Sequence, residues 1–441
     1  MNLLSSNFYN KKIFIYGLAR TGISTLNFLK NKGNKLICWD DKPEIRKKIN
    51  KNFLLKSTKQ LNNNSFDFII ISPGINKNNC SIKNFLNKNN SKIITDLDIF
   101  YSFNYFNKII SITGTNGKST TCKLLYEIFK AGGYEVQLGG NIGRPLLDLN
   151  RLKKNGLFVL ELSSYQLDYT KYFRSNHAAI LNISSDHLER HKNIKNYIKI
   201  KSRIFFAQNS SDYSYINMTN EYSKSIKSIF KTHKLKSKLI SIDRSSCNLL
   251  LKKIDNKFFK SKGNIENLAF AYKIVKNLKI NDKIIIKALN KFKGLPHRQE
   301  IVFSNNKLLC INDSKATTFE ACLQSLSNYN NIYWIVGGLP KYHDCFHLKN
   351  VKKKILKAYI IGKKTSFFKR QIKNDIPCTI SNNIRNAINN IYKDIKLNKN
   401  SKITILLSPG AASFDQFNNF EDRGNFFKKL VLKKFKRRLD A

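Results

Sequence analysis

Short apolar runs recur along the chain, and most of them end at glycine or polar residues that precede a helix-like segment. This alternation of buried strands and helices is typical of parallel α/β units. We predict strands at residues 11–16, 36–39, 66–71, 108–113, 157–160, 178–181, 308–311, 332–336, 358–361 and 403–407. The predicted fold class is therefore α/β.

The predicted strands fall into three successive groups, and 441 residues are enough for three domains. We place the domains at residues 1–97, 98–297 and 298–441. The first and third are predicted to be Rossmann-like. The central domain is predicted to contain a parallel sheet with a phosphate-binding loop.

The chain is strongly basic, with 79 lysine and arginine residues against 29 acidic ones and a formal net charge of +50. The positive electrostatic field of such a chain attracts polyanions, so binding of nucleic acid or of a membrane surface is one interpretation. The excess is spread along the whole chain and accompanies frequent Asn, Ile and Phe, which a nucleotide bias also produces. We favour the bias and expect no nucleic-acid partner, because no recognition motif supports one.

The eight cysteines are far apart and form no C-x-x-C pair. That spacing fits neither a zinc ribbon nor a redox motif, so we expect free thiols in a reducing compartment. The N-terminus lacks the pattern of a signal peptide, and no apolar run approaches the roughly 20 residues that cross a bilayer. The sequence predicts a cytoplasmic protein without a membrane span.

The segment Gly114-Thr115-Asn116-Gly117-Lys118-Ser119-Thr120 lies between a predicted strand and a predicted helix at residues 119–130. In this context backbone N–H groups cradle phosphates, the lysine neutralises them, and the hydroxyl after it can hold Mg²⁺. Its two glycines are closer together than in the usual phosphate-binding loop, and the structural alternative is a glycine-rich turn. The order of strand, loop, Lys-Ser-Thr and helix favours ATP binding.

Carboxylate and imidazole groups follow two strands of the same block. Glu161 follows the strand at 157–160, and Asp186 and His187 follow the strand at 178–181. Because parallel strands end at the edge that holds the phosphate loop, Glu161 and His187 are candidate Mg²⁺ ligands. The alternative is a helix N-terminal acid and a loop histidine, and spacing alone leaves both open.

Three further segments have candidate roles. The turn at residues 17–22, with Asp40 after it, resembles a dinucleotide fingerprint in which Ala19 replaces the middle glycine. The segments 312–317 and 407–417 place acids, bases and hydroxyls at strand ends, which favours a second substrate site over two capped helix starts. The basic tail at residues 427–438 has helical apolar spacing, and we favour packing on its own domain over membrane attachment.

Taken together, these motifs resemble those of the Mur ligase family, over residues 17–424. The matching segments are 114–120, 140–143, 161–167, 186–187, 294–298, 312–317 and 408–424. The last two segments are typical of the members that add D-glutamate, and the Asp-Asn-Pro-Arg motif of the diaminopimelate-adding members does not occur in the sequence.

The resemblance implies an ATP-dependent ligase that joins D-glutamate to UDP-N-acetylmuramoyl-L-alanine through an acyl phosphate, in cytoplasmic peptidoglycan precursor synthesis. The implied domains bind UDP, ATP and the amino acid in chain order. ATP and two Mg²⁺ ions are the implied cofactors, and we expect a monomer. Another ATP-dependent amino-acid ligase of the superfamily, including the folylpolyglutamate type, stays open as an alternative.

The resemblance also implies roles for individual residues. Catalytic roles are implied for Lys118, Glu161, His187 and Lys201. Mg²⁺ ligation is implied for Ser119, Glu161, His187 and Lys201, the lysine as a carbamate. ATP contacts are implied for Gly114, Thr115, Asn116, Gly117, Lys118, Ser119, Thr120, Asn264, Asn267, Arg298, Asp313 and Lys315. Contacts to the UDP-linked substrate are implied for Arg20, Thr21, Asp40, Ser72, Pro73, Gly74, Asn141, Ser163, Gln166 and His187. Contacts to D-glutamate are implied for Thr317, Lys341, Ser413 and Phe420.

Overall fold

The computed structural model describes residues 4–63, 65–340, 345–397 and 402–436. The chain divides into two compact units, Met1–Phe292 and Lys293–Ala441. The first unit contains two sheets and the second contains one. The α/β class and the three sheet-containing regions are confirmed, whereas the domain limits after residues 97 and 297 stay predictions.

Strands and helices alternate along most of the chain. The strands are β1 (Lys12–Tyr16), β2 (Lys35–Trp39), β3 (Phe68–Ile71), β4 (Ile93–Ile94), β5 (Lys108–Thr113), β6 (Val136–Gly140), β7 (Leu157–Glu161), β8 (His177–Ile180), β9 (Tyr213–Asn217), β10 (Lys238–Ile242), β11 (Glu300–Ser304), β12 (Leu308–Asn312), β13 (Ile332–Gly337), β14 (Ile355–Ile361), β15 (Cys378–Asn382) and β16 (Ile403–Leu407). The α-helices are α1 (Arg20–Leu29), α2 (Pro43–Arg46), α3 (Lys83–Lys88), α4 (Asp96–Asn104), α5 (Lys118–Ala131), α6 (Ser164–Leu167), α7 (Leu188–His191), α8 (Ile194–Ser202), α9 (Ser223–Thr232), α10 (Asn248–Leu251), α11 (Lys262–Asn277), α12 (Asp282–Asn290), α13 (Phe319–Asn328), α14 (Thr365–Ile372), α15 (Ile384–Leu397) and α16 (Phe420–Val431).

Both sheets of the first unit are parallel. Their strand orders are β2-β1-β3-β4 and β10-β9-β8-β5-β7-β6. In the second sheet β5 lies between β7 and β8, so the loops that follow these three strands leave from one edge. That edge carries the predicted phosphate loop, Glu161 and the segment leading to His187.

The two sheets of the first unit share an apolar core. Helix α4 connects them and buries Leu97, Ile99 and Phe100. The ring of Phe100 packs edge-on against Phe158 of β7, with 4.9 Å between the centroids. The N-terminal sheet is therefore packed onto the central one by hydrophobic contact as well as by chain connectivity.

Asp98 in α4 fixes a segment that has no regular secondary structure. Its carboxylate is fully buried. The donors to its two oxygens are the N–H and Oγ1 of Thr95, the Oγ1 of Thr170, and the N–H groups of Lys171, Tyr172 and Phe173. A buried carboxylate needs hydrogen-bond donors, and the N–H groups of a segment that belongs to no helix or sheet need an acceptor. Asp98 and residues 170–173 therefore stabilise each other.

The sheet of the second unit has the order β11-β12-β16-β13-β14-β15, and β11 is antiparallel to β12. Separate apolar clusters cover its two faces. Trp334 of β13 is completely buried, and its indole N–H donates to the carbonyl of Ser408 over 2.7 Å. This bond fixes the loop that follows β16.

Residues 427–431 of the predicted tail form the last part of α16 and pack on the second unit through Phe427 and Val431, as the favoured interpretation predicts, whereas residues 437 and 438 lie outside the described residues. Among the described helices, none combines the length and hydropathy that crossing a membrane requires. All eight cysteines are free thiols, as predicted.

The ten predicted strands are confirmed to within three residues at each end. Six strands were missed: β4, β6, β9, β10, β11 and β15. Five of them lie at a sheet edge and β9 lies next to one. Edge strands face solvent on part of their surface, so their apolar runs are short and interrupted.

Candidate functional site

The predicted phosphate loop joins the end of β5 to the start of α5. Gly114 and Gly117 adopt φ values of 151° and 83°, which disfavour any side chain. A Cβ atom on Gly117 would lie 2.1 Å from Oδ1 of Asn267 in α11. The loop is thus packed so closely against α11 that the position requires glycine.

Polar contacts hold the loop in place. Asn182, after β8, accepts from Thr115 N–H through its backbone carbonyl at 2.9 Å and from Asn116 N–H through its side chain at 2.8 Å. Lys118 Nζ donates to the carbonyls of Gly114 and Thr115 at 2.9 and 2.8 Å, so the ammonium lies over the loop. Ser119 and Thr120 are buried in the first turn of α5.

Lys201 of α8 is buried behind the same loop, with 2% of its surface exposed. Its Nζ donates to the carbonyl of Gly114 at 2.9 Å and to Oγ1 of Thr113 at 3.3 Å. Burial and then the positive charge of Lys118 lower the pKa of Lys201 well below its usual value, against the attraction of Asp186 and Glu161. Lys118, Asp186 and Glu161 are therefore close enough to Lys201 for their charges to act on its amine.

Glu161 is the last residue of β7 and is buried. Asn141 donates to its Oε1 from Nδ2 at 2.7 Å, and the Asn141 N–H donates to the Glu161 carbonyl at 2.8 Å. These two bonds fix both residues at the end of the sheet. The predictions for Asn141 and Glu161 thus describe one local arrangement.

His187 precedes α7 and adopts a left-handed backbone conformation with φ of 55°. Its Nδ1 lies 3.0 Å from the Tyr165 hydroxyl, and its Nε2 lies 3.4 Å from Oδ2 of Asp186. Tyr165 therefore orients the imidazole, a role that the sequence did not assign to it.

A polar cleft of about 220 Å³ lies beside these residues in the first unit. Six of the residues predicted to contact the UDP-linked substrate line it: Arg20, Thr21, Pro73, Asn141, Ser163 and Gln166. Arg20 also donates to the carbonyl of Gly143 at 2.5 Å. Ser163 and Gln166 form a capping box at the start of α6, which holds their side chains at the cleft wall.

Three other residues predicted for that substrate surround the N-terminal glycine turn. Asp40 is buried and accepts from the N–H groups of Leu18 and Lys42, at 2.7 and 3.0 Å. Ser72 donates to the Gly17 carbonyl at 2.6 Å, whereas the space beside Gly74 is open. Asp40 and Ser72 thus shape the turn, and their contacts to a ligand stay predictions.

The residues predicted to contact adenine form bonds within the protein. Asn264 donates to the carbonyl of Phe258 at 2.9 Å, and Asn267 accepts from Thr121 at 3.4 Å. Asn267 is buried under the phosphate loop. Its contact with the loop is structural, and adenine recognition by either residue stays a prediction.

In the second unit, buried Asp313 ties three segments together. Its Oδ2 accepts from the hydroxyls of Ser325 and Ser408 at 2.6 and 3.0 Å, and its Oδ1 accepts from Gln299 N–H at 3.2 Å. Burial raises the pKa of Asp313 to about 6, although these bonds and the charge of Arg298 oppose the rise.

Two of the residues predicted to bind D-glutamate, Ser413 and Phe420, lie between β16 and the first turn of α16. Phe420 is its first residue, and the Lys315 ammonium lies 5.2 Å from the Phe420 ring centroid. Ser413 is buried, and its Oγ has no hydrogen-bond partner in the described part of the chain. Thr317 is half-buried before α13, and Lys341 lies outside the described residues.

Comparison with known proteins identifies the family. The Mur ligase middle domain matches residues 112–290, and the Mur ligase MurD-like N-terminal domain matches residues 11–94. A UDP-N-acetylmuramoylalanine–D-glutamate ligase from Rickettsia prowazekii is 38% identical, with 96% of this chain and 98% of that protein covered. The chain belongs to the Mur ligase family.

Further relatives of this Mur ligase agree with the predicted family and fold. A UDP-N-acetylmuramoylalanine–D-glutamate ligase from Phenylobacterium zucineum is 32% identical, with 97% of both chains covered. The crystal structure of MurF ligase from Thermotoga maritima in complex with ADP has a TM-score of 0.54 at 12% identity. The match covers 98% of this chain and 97% of the MurF chain. At 12% identity the likeness supports the fold alone.

The residues at the phosphate loop of this Mur ligase fit Mg²⁺ bound together with ATP. In the described ranges, no cluster of three or more His, Cys, Asp or Glu side chains is arranged to hold a metal by itself. Mg²⁺ usually takes one or two protein oxygens and completes its shell with water and substrate phosphates. Ser119 and Glu161 supply hard oxygens of this kind at the correct edge of the sheet.

Two residues of this Mur ligase that contact the site were not singled out by sequence reasoning. Tyr165 lies within segment 161–167, which matches the family, and it contacts His187. Arg190 lies three residues after His187 and contacts the loop that follows β3. Its position close to Asp186 and His187 in the sequence could have indicated Arg190, but Ile75, which it contacts, lies 115 residues away.

Burial of Asp313 makes the stability of the second unit depend on pH. Its pKa is about 6 when folded, against 3.8 for the ordinary carboxyl. Neutral Asp313 contributes to the free energy of unfolding fully below about pH 4. That contribution is lost as pH rises through 6, because the folded state then holds a buried charge. Between pH 4 and pH 7, we expect the free energy of unfolding of Asp313→Asn to rise by up to about 3 kcal/mol relative to that of wild type. This value corresponds to a pKa difference of roughly two units at 1.36 kcal/mol each.

Urea unfolding tests this expectation. The sequence has two tryptophans, Trp39 and Trp334, so a Trp39→Phe background lets Trp334 fluorescence report the second unit. Asp375→Asn, which removes an exposed carboxylate of the same unit, is the control. A difference between Asp313→Asn and its parent that does not change with pH would contradict the assignment.

Proposed function

We propose that this Mur ligase joins D-glutamate to UDP-N-acetylmuramoyl-L-alanine, the reaction for which its curated relatives are named, and that ATP drives the reaction. The observation that carries the proposal is the convergence of Lys118, Glu161 and buried Lys201 at a phosphate loop beside a polar cleft. We place the reaction in the cytoplasm, where ATP and nucleotide sugars are made.

The chemistry requires activation of a carboxylate. Transfer of the ATP γ-phosphoryl group breaks the bond between the γ-phosphorus and the oxygen that bridges it to the β-phosphate, and ADP leaves. A new O–P bond forms to the alanine carboxylate. The amine of D-glutamate then attacks the acyl carbon, the C–O bond to phosphate breaks, and the nitrogen loses a proton to solvent. Such a reaction depends mainly on positioning and on neutralising charge.

The residues at the loop suit this task. The N–H groups at the start of α5 and the Lys118 ammonium neutralise phosphate oxygens. Ser119 and Glu161 would hold Mg²⁺, which when bound neutralises the same oxygens further. Asn141 holds the Glu161 carboxylate in one orientation over 2.7 Å, and Tyr165 holds the imidazole of His187.

We propose that Lys201 acts as a carbamate. An amine reacts with carbon dioxide in its neutral form: the nitrogen bonds to carbon, a proton leaves, and the product is an anion. The burial of Lys201 and its position beside Lys118 favour the neutral amine. A carbamate there would offset the charge of Lys118 and add hard oxygens toward Glu161.

We also propose where the two other substrates bind. The cleft lined by Arg20, Asn141 and Ser163 suits a polar, anionic substrate such as UDP-N-acetylmuramoyl-L-alanine. The buried, unpartnered hydroxyl of Ser413 suits a carboxylate of D-glutamate. The roles of Arg298, Asp313, Thr317, Lys315, Lys341 and Phe420 stay predictions.

Amino-acid selection tests the proposed function directly. We expect phosphate release from ATP to depend on UDP-N-acetylmuramoyl-L-alanine and to be fastest with D-glutamate. L-Glutamate, L-alanine and diaminopimelate are the competitors, each assayed alone and against D-glutamate by product mass. Preference for another amino acid would instead identify a different ligase of the superfamily. Salt-sensitive nucleic-acid binding without ligase turnover would favour the polyanion-binding interpretation.

A further inference from the structure

Arg190 connects the two walls of the substrate cleft. Its side chain is only 7% exposed, and it lies on the four-residue helix α7. Both residues that flank α7, His187 and Lys192, have positive φ values. The Arg190 side chain extends to the N-terminal region, where it contacts the carbonyl of Ile75.

One end of the guanidinium holds the loop after β3. Its Nη2 lies 2.7 Å from the carbonyl of Ile75, 3.1 Å from Oδ2 of Asp168 and 2.9 Å from the Tyr169 hydroxyl. Ile75 directly follows Ser72, Pro73 and Gly74, which are predicted to contact the nucleotide end of the substrate. Arg190 thus reaches that loop from the central domain.

The same guanidinium also lies near the other wall of the cleft. Its central carbon is 5.5 Å from the ring centroid of Tyr165. Tyr165 lines the cleft and contacts Nδ1 of His187 at 3.0 Å. A planar cation can stack on a ring and donate in its own plane at once, and a lysine ammonium cannot reproduce this combination.

We propose that Arg190 is a positioning residue that sets the spacing between the nucleotide-binding loop and the Tyr165–His187 wall, and so aligns the UDP-linked substrate with the phosphate loop. This inference rests on the proposed function. A small displacement of one wall relative to the other would misplace the reacting carboxylate, for which losses of about 10²-fold are typical.

The main test is Arg190→Lys, which keeps the charge. We expect KM for UDP-N-acetylmuramoyl-L-alanine to rise at least about 10-fold and kcat to fall, while KM for ATP stays within about twofold. Asp168→Asn is the matched control, since it removes the ion pair but keeps the hydrogen bond from Arg190 to the Ile75 carbonyl and the contact of its guanidinium with the Tyr165 ring. Its KM for the UDP-linked substrate should change less than about threefold.

Arg190→Ala with added guanidinium ion provides a second readout. Partial recovery of kcat/KM with guanidinium, and none with ammonium at equal ionic strength, is expected for a planar cation that positions two walls. If Arg190 had a merely structural role, Arg190→Ala would lower the thermal stability and leave KM for the UDP-linked substrate unchanged. That result would overturn the inference. Equal effects of Arg190→Lys and Asp168→Asn would also overturn it, by assigning the effect to the ion pair. If wild type lacked D-glutamate-dependent turnover, the proposed function itself would fail.

Discussion

Lys118→Ala is expected to reduce ATP turnover by at least about 10³-fold, while binding of the UDP-linked substrate stays within about threefold of wild type. Lys118 lies over the phosphate loop, where its ammonium contacts two loop carbonyls. Loss of one preorganised donor from a developing anion typically costs about 10²–10³-fold in kcat, and loss of a full charge costs more. The cleft residues lie on other elements and should keep their geometry.

Steady-state phosphate release and calorimetric titration with UDP-N-acetylmuramoyl-L-alanine measure the two halves of this expectation. Lys123→Ala is a matched control, because Lys123 lies on the same helix and forms a surface ion pair with Glu127 at 2.6 Å. Such pairs contribute about 0–1 kcal/mol, so turnover should match wild type. Normal turnover in Lys118→Ala would show that the loop does not bind the reacting phosphates.

Lys201→Ala is expected to lose activity by about 10³-fold and to recover part of it with formate or acetate. The substitution removes the carbamate that we propose beside Glu161, and a small carboxylate can occupy the vacated space and restore the anion. Lys201→Arg fills the same space with a cation, so no recovery is expected there. Lys195→Ala, an exposed position on the same helix, serves as the control.

Carbon-13 NMR with labelled carbon dioxide gives an independent readout. A carbamate resonance should appear in wild type and in Lys195→Ala and be missing from Lys201→Ala. Full activity of Lys201→Ala would refute the role. Loss of activity without rescue, combined with no carbamate resonance in wild type, would show that the lysine acts as an amine.

The sequence predicted features that are local in the chain. The phosphate loop is recognisable because its glycines, lysine and hydroxyls are consecutive, and the strands at sheet centres are recognisable because they are buried on both faces. The chemistry of Lys201 was not recognisable in this way. It is one of 79 lysine and arginine residues, and its burial arises from packing behind a loop about 85 residues earlier in the chain.

Other contacts at the site arise from folding of distant segments. Asn267 contacts Gly117 across about 150 residues, and Arg190 contacts Ile75 across 115. No spacing rule links such pairs, so a single sequence gives no sign of them. The family resemblance supplied candidate ligands, and the structure supplied the residues that orient them.

The shared core around α4 has a consequence for dissection of the gene. A fragment that stops before α4 would lose Leu97, Ile99 and Phe100 and leave the facing side of its sheet exposed to water. A fragment that starts at β5 would lack Asp98, so three consecutive N–H groups at residues 171–173 would lose their acceptor. Recombinant pieces cut at this junction would therefore be prone to aggregate, and a cut at residues 292–293 follows the natural division of the chain.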